Sequence, residues 1–239
     1  MSYAPIYPHD PIEEIMPDVF MARGRVPLNK LLTLSRNMAI VRHDGELTLV
    51  NSVRLDAAGE KRLRELGEVK RILRLGPFHG MDDAYYIDTF GAQLWTPGDS
   101  SAYAEPKADC VFDETTPLPF PDAEIYCFKG TSQPESMLLI NREGGLLLSC
   151  DGIQNYGDYS NNNFLARTLM PWIGFARTTI LGPFWLKLMT PEGESLEAEF
   201  REFLSRRFEN LLSAHGTFLR GGAHAAVATA IDNAFKKKG

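Results

Sequence analysis

Apolar and polar positions along Asn37–Val53 ("NMAIVRHDGELTLVNSV") form two β-rich runs flanking His43-Asp44-Gly45, a pattern that predicts a hairpin turning on Asp-Gly. The next segment, "DAAGEKRLRELGEV", spaces Leu63 and Leu66 for one helix face and stops at Gly67. Val69–Leu75 ("VKRILRL") then reads as a strand, "DDAYYIDTFG" as a helix with an acidic first turn closed by Gly91, and "AQLWTPG" as another strand. Turn residues crowd the stretch from Ser100 to Asp122, which suggests a short helix and a loop. Three strands follow in "AEIYCFKG", "SMLLINRE" and "GLLLSCDG", with Glu143-Gly144-Gly145 as a hairpin turn. The rest predicts helices over Asn163–Ile173, Ser195–Leu212 and Gly221–Lys237. In the second of these, Leu196, Phe200, Phe203, Leu204, Phe208 and Leu211 recur at helical spacing and form a core face. The order is β-then-α twice, and it fits a β-sandwich with helices on both outer faces.

The totals narrow the field. A chain of 239 residues with 44% hydrophobic residues can bury a sizeable core; we expect one domain over 1–239, with 1–36 as an N-terminal extension packing on it. The net charge of −6 disfavours a nucleic-acid or anionic-membrane partner by bulk electrostatics. The only basic run, Lys236–Lys238, reads as a solvated tail. Cys110, Cys127 and Cys150 form no CxxC pair, and their odd number suggests a reducing compartment. The start of the chain has no basic region followed by a long apolar run, so it does not read as a signal peptide. Phe164–Met189 is apolar, but Arg167, Arg177, Lys187, Pro171 and Pro183 interrupt it and argue against a membrane span. A cytoplasmic protein with a small-molecule substrate or ligand is the expectation; oligomeric state is not legible.

Candidate chemistry gathers where strands end. His79, Asp82 and Asp83 follow the strand Val69–Leu75, Asp151 follows "LLLSC", and His215 lies in "LLSAHGTFLRGG", read as a gap between two helices. Each has a plain alternative: a loop histidine, helix-capping carboxylates, an Asp-Gly turn. Their order carries more. "GPFHGMDDAYYIDTFGAQLWTPG", "FKGTSQPESMLLINREGGLLLSCDGIQN" and "SAHGTFLRGGAHAAVATAI" together resemble the metallo-β-lactamase-fold superfamily from about Asn37 to the C-terminal helix. That superfamily has a His-x-His-x-Asp-His loop opening a helix, then a Gly-His turn, a strand ending in a bridging aspartate, and a late histidine.

The resemblance implies an α/β fold, a four-layer αβ/βα sandwich. It also implies departures at the site. The loop keeps one histidine, His79. In one register Met81 and Ala84 replace histidines and Asp83 matches the aspartate; in the other Asp82 falls on the last histidine position. Thr131 stands where the third-motif histidine belongs, while Asp151 and His215 match in either register. The implied ligand set is His79, Asp82 or Asp83, Asp151 and His215, with Asp82 and Asp83 also as catalytic candidates. Such a set suits at most one divalent metal (zinc, iron or manganese) with an open position for water, or none. Tyr85, Thr131 and Asn155 are candidate substrate contacts. Trp172 and Trp185 read first as core, then as pocket wall or oligomer contact. Two functions fit: a hydrolase with a reduced metal site acting on an ester, thioester, amide or phosphoester, or a non-catalytic relative that has lost its metal and binds a small molecule or protein partner.

Overall fold

A computed structural model describes residues 3–236; Lys237 and Lys238 of the expected basic tail lie outside them. Two sheets carry the architecture. The first has seven strands in sequence order: β1 (Glu13–Met16), β2 (Val19–Pro27), β3 (Thr33–His43), β4 (Glu46–Val50), β5 (Glu68–Leu73), β6 (Gln93–Thr96) and β7 (Cys110–Val111). β1 to β4 pair antiparallel and β4 to β7 parallel. Helix α1 (Ala57–Leu66) makes the β4–β5 crossover and α2 (Asp83–Phe90) the β5–β6 crossover, as parallel pairing requires. The cap of α1 is legible in sequence: the Asp56 carboxylate accepts the Gly59 N–H at 2.8 Å.

The second sheet has the order β13 (Asn210–Ser213), β10 (Leu146–Ser149), β9 (Ser136–Ile140), β8 (Ala123–Cys127). A two-stranded ribbon, β11 (Ile153–Asn155) with β12 (Thr179–Leu181), stands beside it. Helix α3 (Phe164–Leu169), a 3₁₀ turn over Met170–Ile173, α4 (Pro183–Met189), α5 (Glu197–Phe203) and α6 (Ala223–Phe235) complete the chain.

Alternation along the strands builds four layers. In β3, Ala39 and Val41 point between the sheets, whereas Met38 and Ile40 point outward against Leu63, Leu66 and Tyr86 of α1 and α2. In β10, Leu146 and Leu148 face the inter-sheet core while Leu147 faces Trp185, Phe200, Phe203 and Val227 of α4, α5 and α6. Strands covered on both faces need no polar positions, which is why "GLLLS" reads as a continuous apolar run. The αβ/βα sandwich is therefore the architecture observed.

Three expectations need correction. The segment expected as an extension, 1–36, supplies β1, β2 and the start of β3 to the first sheet. The helix expected over Ser195–Leu212 ends at Phe203; a turn follows, and Asn210–Ser213 joins the second sheet parallel to β10. There Leu211 and Leu212 alternate between the two cores, so sheet pairing overrides a spacing that also suits a helix. No helix forms between Ser100 and Asp122, where loop surrounds the short β7.

Candidate metal centre

Parallel pairing of β10 with β13 sets Ser149 opposite Ser213. Two residues beyond each partner come Asp151 and His215, so the two side chains leave adjacent strand ends at one level. The next residue, Gly216, has φ +83°, and a side chain there would collide with the Asn155 carbonyl; the "His-Gly" pair is a demand of the backbone. His79 arrives from the other sheet, in the loop after β5. That loop passes so close to the second sheet that a Cβ on Gly76 would lie 2.5 Å from Glu135 Oε2 and 2.9 Å from Cys150 Sγ.

The three side chains meet. His79 Nε2 is 3.3 Å from Asp151 Oδ2, and His215 Nε2 is 3.0 Å from Asp151 Oδ1. One ligand atom from each residue lies within 4.8 Å of the others. Zinc with nitrogen or oxygen ligands at about 2.1 Å has tetrahedral edges of about 3.4 Å, so the observed separations suit one shared ion. The donor chemistry points the same way. His215 Nδ1 lies 2.5 Å from the Ser35 carbonyl, which can only accept, so Nδ1 carries the proton. Nε2 then turns a lone pair toward a carboxylate oxygen. Two acceptors at 3.0 Å require a cation between them, either a proton or a metal.

In the metal-free form that cation is a proton. Burial by itself pushes the His215 pKa down, but the hydrogen bond and charge of Asp151, with the Ser35 carbonyl, outweigh it and raise the pKa. Asp151 is buried too, yet the two histidines hold its carboxyl far below the usual carboxylate range. Burial dominates at His79, whose pKa is lowered and whose Nδ1 has no hydrogen-bond partner. In the metal-free form Asp151 and His215 thus share a proton across 3.0 Å, with His79 beside them.

The other candidates stand apart from this group. Asp82 is bound by Arg36, with Nη1 to Oδ2 at 2.8 Å, and by the Arg54 N–H at 3.1 Å. Asp83 accepts from Ser52 Oγ at 2.7 Å and lies 3.6 Å from Arg74 Nη1; burial raises its pKa to about 6. Both carboxylates are therefore corrected from ligands to partners of buried arginines. Tyr85 bonds Glu60 and stacks under Arg54. Asn155 ties β11 to Thr179 and Thr217. Thr131 sits half-buried in the β8–β9 loop. None of these three lines the cavity over the site, so their role as substrate contacts is withdrawn.

That cavity encloses about 660 Å³, within the range of small-molecule pockets. His79, Asp151 and His215 lie at its floor with Arg36 and Gln154; every other lining residue is apolar or aromatic. Its walls come from the β2–β3 tip, α3, the 3₁₀ turn and α4. Trp185 is one of the lining residues and is also 3% exposed within the second core, so the core reading holds for it together with the pocket-wall reading. Trp172, expected in the core, is exposed. Sequence reasoning missed Arg36 and Gln154; Arg36 lies between Ser35 and Asn37 in the polar first half of β3, where no local pattern marks it as buried.

It also missed Glu135. This residue is 1% exposed; Oε1 accepts the Gly152 N–H at 3.1 Å and Oε2 has no partner. Burial, then the charge of Asp151, lifts its carboxyl well above the usual range, and the side chain supports the Asp151–Gly152 turn. Glu135→Gln is expected to cost less than about 1.5 kcal/mol, whereas Glu135→Ala strips the Gly152 N–H of its acceptor and costs about 2–4 kcal/mol. Urea melts check this; equal losses for both variants would show that the charge matters.

No protein-family profile matches the sequence, and no curated protein is similar to it in sequence. Solved structures do resemble the fold. The metallo-β-lactamase FIM-1 from Pseudomonas aeruginosa, in its mono-zinc form, superposes with a TM-score of 0.63 at 13% identity, over 97% of this chain and 98% of that one. A metallo-β-lactamase from Erythrobacter litoralis gives 0.59 at 11% identity over 95% and 92% of the two chains. One from Hirschia baltica gives 0.59 at 12% over 93% and 98%. At such identities the likeness shows the fold, and activity must come from the site.

Proposed function

We propose that this chain, which has the metallo-β-lactamase fold, is a metal-dependent hydrolase that uses one divalent cation held by His79, Asp151 and His215. The observation that supports the reading most is the lone pair of His215 Nε2 facing a carboxylate oxygen at 3.0 Å. Two histidines and one carboxylate suit zinc or ferrous iron, and manganese less well. When bound, such an ion supplies Lewis acidity and activates water near neutral pH.

The chain's own residues supply the rest. The Ser35 carbonyl fixes the tautomer and ring orientation of His215. Arg36 keeps a buried positive charge beside the floor, suited to a carbonyl that gains negative charge or to an anionic group. The apolar walls exclude water and hold the body of the substrate. The reading is therefore hydrolysis of an ester, thioester, amide or phosphoester bond joined to a substantial apolar group. A second reading is a binding protein, favoured by the arginine partners of Asp82 and Asp83 and by a site that a single proton also satisfies.

Metal analysis separates the two. The expected result is close to one equivalent of zinc or iron after reconstitution, with turnover on p-nitrophenyl esters or acyl thioesters that improves as the acyl chain lengthens. Metal uptake without turnover on any ester, thioester, amide or phosphoester leaves the binding protein.

The pH dependence has a definite sign. His215 titrates near 6.5 when unfolded, and its folded-state pKa is raised, so its contribution to metal-free stability is complete below about 6.5 and is lost as pH rises through the raised value. Asp151 contributes above about 3.9, and its share is lost as pH falls toward its depressed value. A metal must displace the His215 proton. The metal-induced gain in thermal midpoint should therefore be larger at pH 8 than at pH 6. A gain that is flat or reversed over that interval would remove His215 from the ligand set.

A further inference from the structure

We infer that the mouth of the cavity is a docking face for an anionic lipid bilayer, on which the protein sits with its pocket opening toward the lipid. Eleven large apolar side chains are strongly exposed among the described residues, and nine of them lie on the β2–β3 tip, α3, the 3₁₀ turn and α4. Trp172 and Phe164 are the extremes, 87% and 85% exposed. These elements form one rim. Four of them contribute side chains to the same cavity; Asn163 Nδ2 donates to the Leu31 carbonyl at 2.7 Å, and the Phe175 and Phe184 rings are 5.3 Å apart.

The charge of this rim is opposite to that of the chain. There is no Asp or Glu between Asp18 and Asp44, nor between Asp158 and Glu192, in a protein whose net charge is −6. Lys30, Arg167, Arg177 and Lys187 are exposed along these two segments. Arg167 and Arg177 donate to backbone carbonyls, and no carboxylate pairs with any of the four among the described residues. Bulk charge argues against an anionic surface; this face argues for one. Apolar side chains with interleaved cations are what binds the interface of a bilayer carrying anionic lipid. A second copy fits less well, because a two-fold contact would set the same cations against one another and seal the pocket. No helix among the described residues is long and apolar enough to cross a membrane, so the attachment is peripheral. It supplies the pocket with apolar substrate from the lipid phase, but its test does not depend on the hydrolase reading.

The test is co-sedimentation with phosphatidylcholine vesicles and with vesicles of phosphatidylcholine and phosphatidylglycerol (7:3), read alongside tryptophan emission. The parent is expected to partition onto the anionic vesicles at least about 10-fold more strongly than onto neutral ones, with a blue shift from Trp172, and to weaken in high salt. Lys187→Glu should lower partitioning at least about 5-fold. Phe164→Ser/Trp172→Ala should abolish the blue shift and most of the binding, and Val111→Ser, which removes an exposed apolar residue elsewhere, should change neither. Absence of binding to both vesicle types overturns the inference. So does a dimer in light scattering that Phe164→Ser/Trp172→Ala dissolves, without vesicle binding. Loss of turnover in site variants that still bind vesicles would bear on the hydrolase reading alone.

Discussion

Asp151→Ala is expected to erase the rise in thermal midpoint that zinc, iron or manganese gives the parent. A ligand that binds only the folded state at 100 times its dissociation constant stabilises by about 2.7 kcal/mol. For a chain of this size that is a rise of roughly 5–10 °C. Asp151 alone contacts both histidines, at 3.3 and 3.0 Å, so its removal leaves two imidazoles with no anion between them. Affinity should fall by more than the 10–100-fold typical of losing an outer-shell partner. The metal-free midpoint will also drop, because the Asp151–His215 pair is lost. The diagnostic is therefore the difference between melts with and without metal, run beside Asp151→Asn and a His43→Ala control. A rise that survives in Asp151→Ala would sink the candidate centre.

Arg36→Ala should produce the other large effect, and on stability. Arg36 and Asp82 are 5% and 4% exposed, and the guanidinium also donates to the Ser52 carbonyl at 2.8 Å. Removing one member of a buried pair leaves an uncompensated charge and costs about 3–5 kcal/mol, or roughly 10 °C in midpoint. Asp82→Asn should cost a comparable amount while keeping the full metal-induced rise, because Asp82 is not a ligand. Arg36→Met/Asp82→Leu should recover much of the loss, since an apolar replacement has no charge to leave unpaired. Disappearance of the metal-induced rise in Asp82→Asn would return that carboxylate to the ligand set.

The fate of Asp82 shows where sequence reading stops. His79 and Asp151 were legible because each follows a predicted strand; His215 was legible only through the motif order of the resemblance, since the strand before it read as a helix. Asp82 and Asp83 look equally suited to a metal. What decides against them is two arginines on β3 and just after β5, whose side chains turn inward only because of the sheet partners they acquire. The layers were legible from the order of elements, β-then-α twice, and from the resemblance; the apolar run of β10 is what a strand covered on both faces requires. β1 and β2 were not legible, because turn residues and an opening rich in proline hid the pairing of β1 with β2 and of β2 with β3. Trp172 was assigned to the core by residue type, yet on the 3₁₀ turn Met170 takes the buried position and Trp172 faces outward at a pocket rim that no local pattern announces. Arg36 on β3 and Glu135 just before β9 were invisible for a related reason: a charged residue in or beside a strand reads as exposed until the fold closes over it.

The pairing of Ser149 with Ser213 also has an evolutionary consequence. Two members of the candidate centre are fixed by one short ladder of hydrogen bonds, while everything from residue 152 to 209 leaves that ladder and returns to it. The excursion holds α3, the 3₁₀ turn and α4, hence most of the cavity wall and of its exposed apolar rim. Selection can remodel, lengthen or exchange this excursion without moving Asp151 relative to His215. On the proposed hydrolase reading the chain separates what does the chemistry from what chooses the compound, and a change of substrate would require no change in the two strands that carry Asp151 and His215.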